Sequence, residues 1–96
     1  MDKVACRTPE GGPKGTNIPT WKFEAVRTAL RGFLAEGPQR ASTLKDAVGA
    51  RLSEEDRANL GSLGWHVTTI RLELEVRGEL VRLPGSPLQI ALKDTP

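Results

Sequence analysis

The spacing of apolar residues along the chain changes period once. Phe23, Val26, Leu30, Phe33 and Leu34 fall at i, i+3, i+7, i+10 and i+11, one face of a helix, with Lys22, Arg27 and Arg31 off it. Thr20 stands where an N-cap belongs, and Gly37-Pro38 stops the pattern, so a helix is predicted over 20–36. Gln39 to Ser42 reads as a short extended link. A second helix starts at Thr43, with Asp46 three residues on and Leu44, Val48 and Leu52 at i, i+4 and i+8. Ser53 repeats the start signal, followed by Glu54, Glu55 and Asp56, and predicts a short helix or helical turn over 53–60. Ser62 caps the next segment. There Val67, Ile70 and Leu74 share a face and Gly78 sits at the C′ position, which gives a helix over 62–77. Beyond Gly78 the period drops to two. Val81 and Leu83 flank Arg82, and Leu88, Ile90 and Leu92 alternate with Gln89 and Ala91. With Pro84-Gly85-Ser86-Pro87 between them, these runs predict a β-hairpin.

Residues 1–19 have a different composition, with Pro9, Gly11, Gly12, Pro13, Gly15, Asn17 and Pro19. Val4-Ala5-Cys6 and Thr16-Asn17-Ile18 can pair as short strands around the loop TPEGGPKG; a flexible tail is the other reading. The division expected is an arm over 1–19 and one domain over 20–96, in the α+β class, without internal repeats.

The order helix, link, helix, turn, helix, hairpin, with the run GWHVTTIRLELEVRGEL from Gly64 to Leu80, resembles a winged helix-turn-helix domain over about residues 20–93. The stretch LEVRGEL is similar to the usual junction between the third helix of that fold and its first wing strand. The whole chain also resembles a family of small bacterial proteins made of one such domain behind a short arm, which brings no activity with it. The winged-helix resemblance implies a third helix that enters the DNA major groove and a wing that touches the backbone or minor groove. Winged domains also serve as protein-binding or dimerisation modules, so the fold alone does not settle function.

Composition narrows the classes. The chain has 96 residues, 38% hydrophobic and 27% charged, with a formal net charge of +2. That is one small domain with a core. The longest uncharged stretch, Asn59 to Ile70, is twelve residues and contains Gly, Ser, Thr and His, too short and too polar for a membrane span. The N-terminus MDKVACRTPEGG lacks the apolar core of a secretory signal, and a single cysteine forms no internal disulfide, so a cytoplasmic location is expected. Cys6 has no partner at metal-ligand spacing and reads as a small apolar filler. No cofactor or small-molecule substrate is implied.

Charge is unevenly distributed. From Gly61 to Pro96 there are four basic and four acidic residues, whereas residues 1–22 hold four basic and two acidic. The surplus therefore lies in the arm and the start of the first helix. If double-stranded DNA is bound, Lys3, Arg7 and Lys14 would serve as phosphate contacts, and the small charge predicts modest affinity with a shallow salt dependence.

On the 62–77 helix, a buried face centred on Leu63, Val67, Ile70 and Leu74 leaves Trp65, Thr68, Thr69, Leu72 and Val76 opposite. His66 and Glu73 then lie on one flank, and Arg71 and Glu75 on the other. The candidate nucleic-acid contacts are His66, Thr68, Thr69 and Arg71 on the helix, with Arg82 and Ser86 at the wing. Glu73 and Glu75 would meet phosphates and repel them, while Arg71 and Glu75 can also pair at i, i+4. The stripe Trp65–Leu72–Val76 calls for a cover: the arm through Val4 and Ile18, a second copy of the chain in a homodimer, or a protein partner.

An enzyme is not expected. The lone His66 reads as a solvated surface group, and Glu73 lies about 10 Å along the helix, beyond direct contact. Gly11-Gly12-Pro13-Lys14-Gly15 lacks the spacing of a phosphate-binding loop. Trp21 is expected to pack on the arm or core. The leading expectation is thus a DNA-binding, transcription-regulator-like dimer. Its rival is a protein-interaction module that uses the Trp65 stripe.

Overall fold

In the computed structural model, residues 2–7 and 16–93 are described; the loop TPEGGPKG, with the glycine-rich run and Lys14, and the last three residues lie outside them. The chain runs β1 (Lys3–Cys6), β2 (Thr16–Pro19), α1 (Thr20–Leu34), β3 (Gln39–Arg40), a single 3-10 turn (Ala41–Thr43), α2 (Leu44–Arg51), α3 (Glu54–Leu60), α4 (Leu63–Val76), β4 (Leu80–Leu83) and β5 (Gln89–Leu92). The described residues form an α+β architecture with four helices and two small antiparallel sheets. No helix among the described residues is long and apolar enough to cross a membrane.

The helix starts show which local signals operate. Ser53 Oγ accepts from the Asp56 N–H at 3.0 Å, and Ser62 Oγ accepts from the Trp65 N–H at 3.2 Å, so both predicted serine caps form. The two threonine caps do not. Thr20 is the first residue of α1, behind Pro19, and its N–H is taken by the Asp2 carbonyl instead. Thr43 closes the 3-10 turn, where its hydroxyl donates back to the Arg40 carbonyl at 2.7 Å. Helix α1 ends two residues before the predicted stop, through a turn in which the Gly37 N–H returns to the Leu34 carbonyl. At the other end of the core, Gly78 takes φ +81, its N–H bonds the Glu75 carbonyl, and the Glu79 N–H bonds the Leu74 carbonyl. This glycine-dependent stop turns the chain out of α4 directly into β4.

The predicted link 39–42 is partly a strand. Gln39 and Arg40 pair with Ile90 and Gln89, so the second sheet has the order β3-β5-β4. Register places Leu80 opposite Leu92 and Arg82 opposite Ile90. Leu80 and Ile90 are buried in the core, which corrects the phase suggested by Val81 and Leu83: those two lie on the other face, and Arg82 shares the helix-facing one.

The arm forms its hairpin, Val4 opposite Ile18 and Cys6 opposite Thr16. Its inner residues join the main core. Cys6 and Ile18 belong to the same buried cluster as Phe23, Val26, Leu30, Leu34, Leu44, Val48, Leu60, Val67, Ile70 and Leu74. The junction between α4 and β4 is tied to α1 as well, because Glu79 Oε1 accepts from Arg27 at 2.9 Å and Arg31 at 3.0 Å.

Candidate functional site

The face expected to act is the outer side of α4 with the tip of the C-terminal hairpin. Thr68 is exposed and Thr69 half-buried there, and Ser86 is exposed at the tip. Thr68 and Thr69 lie on α4, and Ser86 lies between β4 and β5.

The charged candidates do not stand as expected. His66 is 8% exposed rather than a solvated surface group. Its Nδ1 lies 2.7 Å from the Ser62 carbonyl oxygen, and since that oxygen can only accept, Nδ1 carries a proton. The ring also meets Trp65 edge-on, with centroids 4.8 Å apart. The physical reason is position: His66 sits in the first turn of α4, where its ring lies beside Gly61 and its Nδ1 joins its own backbone N–H on the Ser62 carbonyl.

Glu73 is also turned inward. Its side chain is 0% exposed, so it cannot face a phosphate. One oxygen accepts from the backbone N–H of Arg7 at 2.8 Å and from Arg7 Nε at 3.1 Å. The other accepts from Arg7 Nη2 at 2.9 Å and from Arg77 Nε at 2.6 Å. Burial pushes this carboxyl up, but the side-chain hydrogen bonds of Arg7 and Arg77, the Arg7 backbone N–H and the Arg7 charge outweigh it and hold the group down at about 2. The hydrogen bonds that Arg7 donates to Glu73 in turn push its guanidinium pKa up. Arg77 in turn stacks on Phe23, 4.8 Å from the ring centroid. Arg7 thus latches the arm to α4 and is committed to Glu73 rather than to a ligand. Beside the latch, burial and then the Glu73 charge push the Cys6 thiol up to about 11, against the pull of Arg77 and Arg7. Cys6 is therefore an inert buried filler.

On the opposite flank Arg71 and Arg82 share one carboxylate. Arg71 Nη1 donates to Glu75 Oε2, and Arg82 Nε donates to Glu75 Oε1 at 2.6 Å. The Arg71 and Glu75 side chains are only 13% and 6% exposed, so this is a partly desolvated group wedged between α4 and β4. The inner-face position of Arg82 in the strand register is what allows it to reach Glu75.

The stripe is uneven. Trp65 is 46% exposed, while Leu72 and Val76 are half-buried. Ile18 lies in the core cluster and Val4 packs against it. Trp21 is exposed too, against the expectation that it packs on arm or core, and carries Lys22 Nζ 5.7 Å from its ring centroid. Lys22 itself donates to the Leu60 carbonyl at the end of α3.

One residue of this face had not been singled out. The stem of Lys45, from the first turn of α2, lies across Gly64 in the first turn of α4, its Cδ 3.6 Å from where a β-carbon on Gly64 would stand. The small residue at 64 was its only trace in the sequence. Grooves elsewhere are open and mixed in lining: one of about 430 Å³ touches Glu24, Thr28, Arg51, Ser53 and Asp56. Among the described residues no three His, Cys, Asp or Glu side chains are grouped as metal ligands.

Residues 3–90 match the model of a family described as "Family of unknown function (DUF6958)". The chain belongs to that family. The match runs from β1 to the second residue of β5, so the latched arm, the helices and β4 lie within the family's unit. No curated protein and no solved structure matches the chain.

Proposed function

We propose that this chain is a winged-helix DNA-binding protein without catalytic activity, in which α4 enters the major groove and the β4–β5 tip reaches the backbone. The observation that supports the reading is the three-stranded sheet β3-β5-β4, whose strand β4 follows α4 in the chain and packs against it. An α-helix fits the major groove, and Thr68 and Thr69 offer hydroxyls and methyls to base edges. Lys45 and Ser86 flank them as phosphate contacts, one from α2 and one from the tip. His66 leaves the original set because it is buried, and Arg7 leaves because it holds Glu73.

With few phosphates neutralised, binding is weak and only mildly salt-dependent. A fluorescein-labelled duplex of mixed sequence, titrated near 50 mM salt, is expected to give a Kd of about 10–100 µM, with a log–log salt slope of about −1 from Lys45. Absence of binding at about 100 µM would reject the reading. Thr68→Ala is expected to leave this non-specific affinity within about twofold, and Lys45→Ala to weaken it and flatten the slope by about one.

The 46% exposure of Trp65 favours a second reading, in which the same stripe is the interface of a homodimer and no DNA is touched. The two occupants exclude each other on α4. Sedimentation of the free protein separates them: a dimer that Trp65→Ser dissociates, together with no DNA binding, would support the second reading.

A further inference from the structure

We infer that the proposed DNA contact has a second phosphate anchor, Arg57 of α3, which acts with Lys45 of α2 as a two-point hold on the duplex backbone beside the start of α4. The inference rests on the DNA reading and deepens it by naming a further element that grips the backbone. Helix α3 fills the connection between α2 and α4, and Arg57 lies midway along it. Two glycines bring the cations to one place. Arg57 crosses Gly49 of α2, its Cζ 3.4 Å from where a β-carbon on Gly49 would stand. Leu63, the first residue of α4, reaches that same point with its Cδ2. Lys45 stands one turn before Gly49 on α2 and crosses Gly64, its Nζ 4.0 Å from the corresponding point there. Both cations thus lie against the Leu63-Gly64 turn that opens α4. Thr68 follows Gly64 by one turn, on the same side of the helix.

The two cations are also available. Both residues are exposed, and among the described residues neither side chain has a hydrogen-bond or ion-pair partner. Arg7, Arg31, Arg51, Arg71 and Arg77, by contrast, are each held by a carboxylate. The acids next to Arg57 in the chain are turned away from it: Asp56 lines a groove with Thr28 of α1, and Glu55 lines one with Trp21. Helix α3 is therefore sorted by charge, these two carboxylates toward α1 and its one guanidinium toward α2 and α4. In the sequence Arg57 follows three acidic residues directly, and only the fold separates it from them. Resting on Gly49 limits the rotamer freedom that an exposed arginine loses on binding, and the planar fork suits a phosphate.

The test is Arg57→Gln in the duplex titration near 50 mM salt. Arg57 adds about one unit to the slope that Lys45 supplies, so wild type is expected at about −2 and Arg57→Gln at about −1, with affinity about five- to tenfold weaker. Arg57→Lys keeps the charge and should keep the slope. Lys3→Gln removes the same charge from exposed β1 and is expected to change affinity less than about twofold. Lys45→Ala combined with Arg57→Gln should bring the slope close to zero. Circular dichroism and the thermal midpoint establish that each variant is folded. Equal losses from Arg57→Gln and Lys3→Gln would overturn the inference, as would an Arg57→Gln protein with wild-type affinity and slope. In both cases wild-type binding leaves the DNA reading standing. If the wild-type protein does not bind DNA, the reading and the inference fall together.

Discussion

Glu73→Ala is expected to cost about 3 kcal/mol, through the loss of a buried carboxylate and its charge-assisted hydrogen bonds. Its loss removes the acceptor of both guanidiniums and of the Arg7 backbone N–H, and returns Arg7 and Arg77 to water. For a domain of this size that corresponds to a fall in Tm of more than about 12 °C. The arm should come off with it, and Cys6 reports that event. Buried and with its thiol pushed up to about 11, Cys6 is expected to react slowly with a disulfide reagent at neutral pH in wild type, and many-fold faster in Glu73→Ala. Unchanged thiol reactivity in a folded variant would show that the latch does not hold the arm. The same group sets an acid limit. Its folded value of about 2 lies below the ordinary 4.5, so its contribution, about 3 kcal/mol, is complete above pH 4.5 and is lost as the pH falls from there toward 2. Thermal melts across pH 2–6 should show a steep acid slope in wild type and a flatter one in Glu73→Gln.

The second large effect is at Phe23. This ring is fully buried and supports Arg77 from the α1 side, 4.8 Å below its guanidinium. Phe23→Ala is expected to cost about 3–5 kcal/mol through the cavity it leaves. It should also loosen Arg77, so its cost and that of Glu73→Gln should not add. The coupling in a double-mutant cycle is expected to reach about 0.5–3 kcal/mol. Strict additivity by urea denaturation would mean that Phe23 and the latch are independent.

These two residues show where sequence reading stopped. Phe23 was legible because a 3.6-residue period fixes it on the α1 core face. Ser53, Ser62 and Gly78 were legible because caps are set by neighbours a few residues away. Glu73 was not, since its partner Arg7 lies 66 positions earlier and no local pattern connects them. The strand at Gln39-Arg40 escaped for a related reason: two residues have no period, and they become a strand only by pairing with β5. On the candidate face the hydroxyl residues followed from helix periodicity, but the charged ones did not. Whether an arginine or histidine is available depends on what its side chain finds in three dimensions. His66 found the Ser62 carbonyl, and Arg71 and Arg82 found Glu75. The regional charge balance anticipated the consequence, a site with little field, without showing which ion pairs produce it.

The outer face of α4 is the proposed DNA contact, and amide chemical shifts locate a contact even when it is weak. Titration of ¹⁵N-labelled protein with duplex DNA at about 50 mM salt should shift the amides of Lys45, Thr68, Thr69 and Ser86 and leave those of β1, β2 and the groove around Thr28 in place. Shifts confined to the arm, or none at concentrations of about 100 µM, would contradict it.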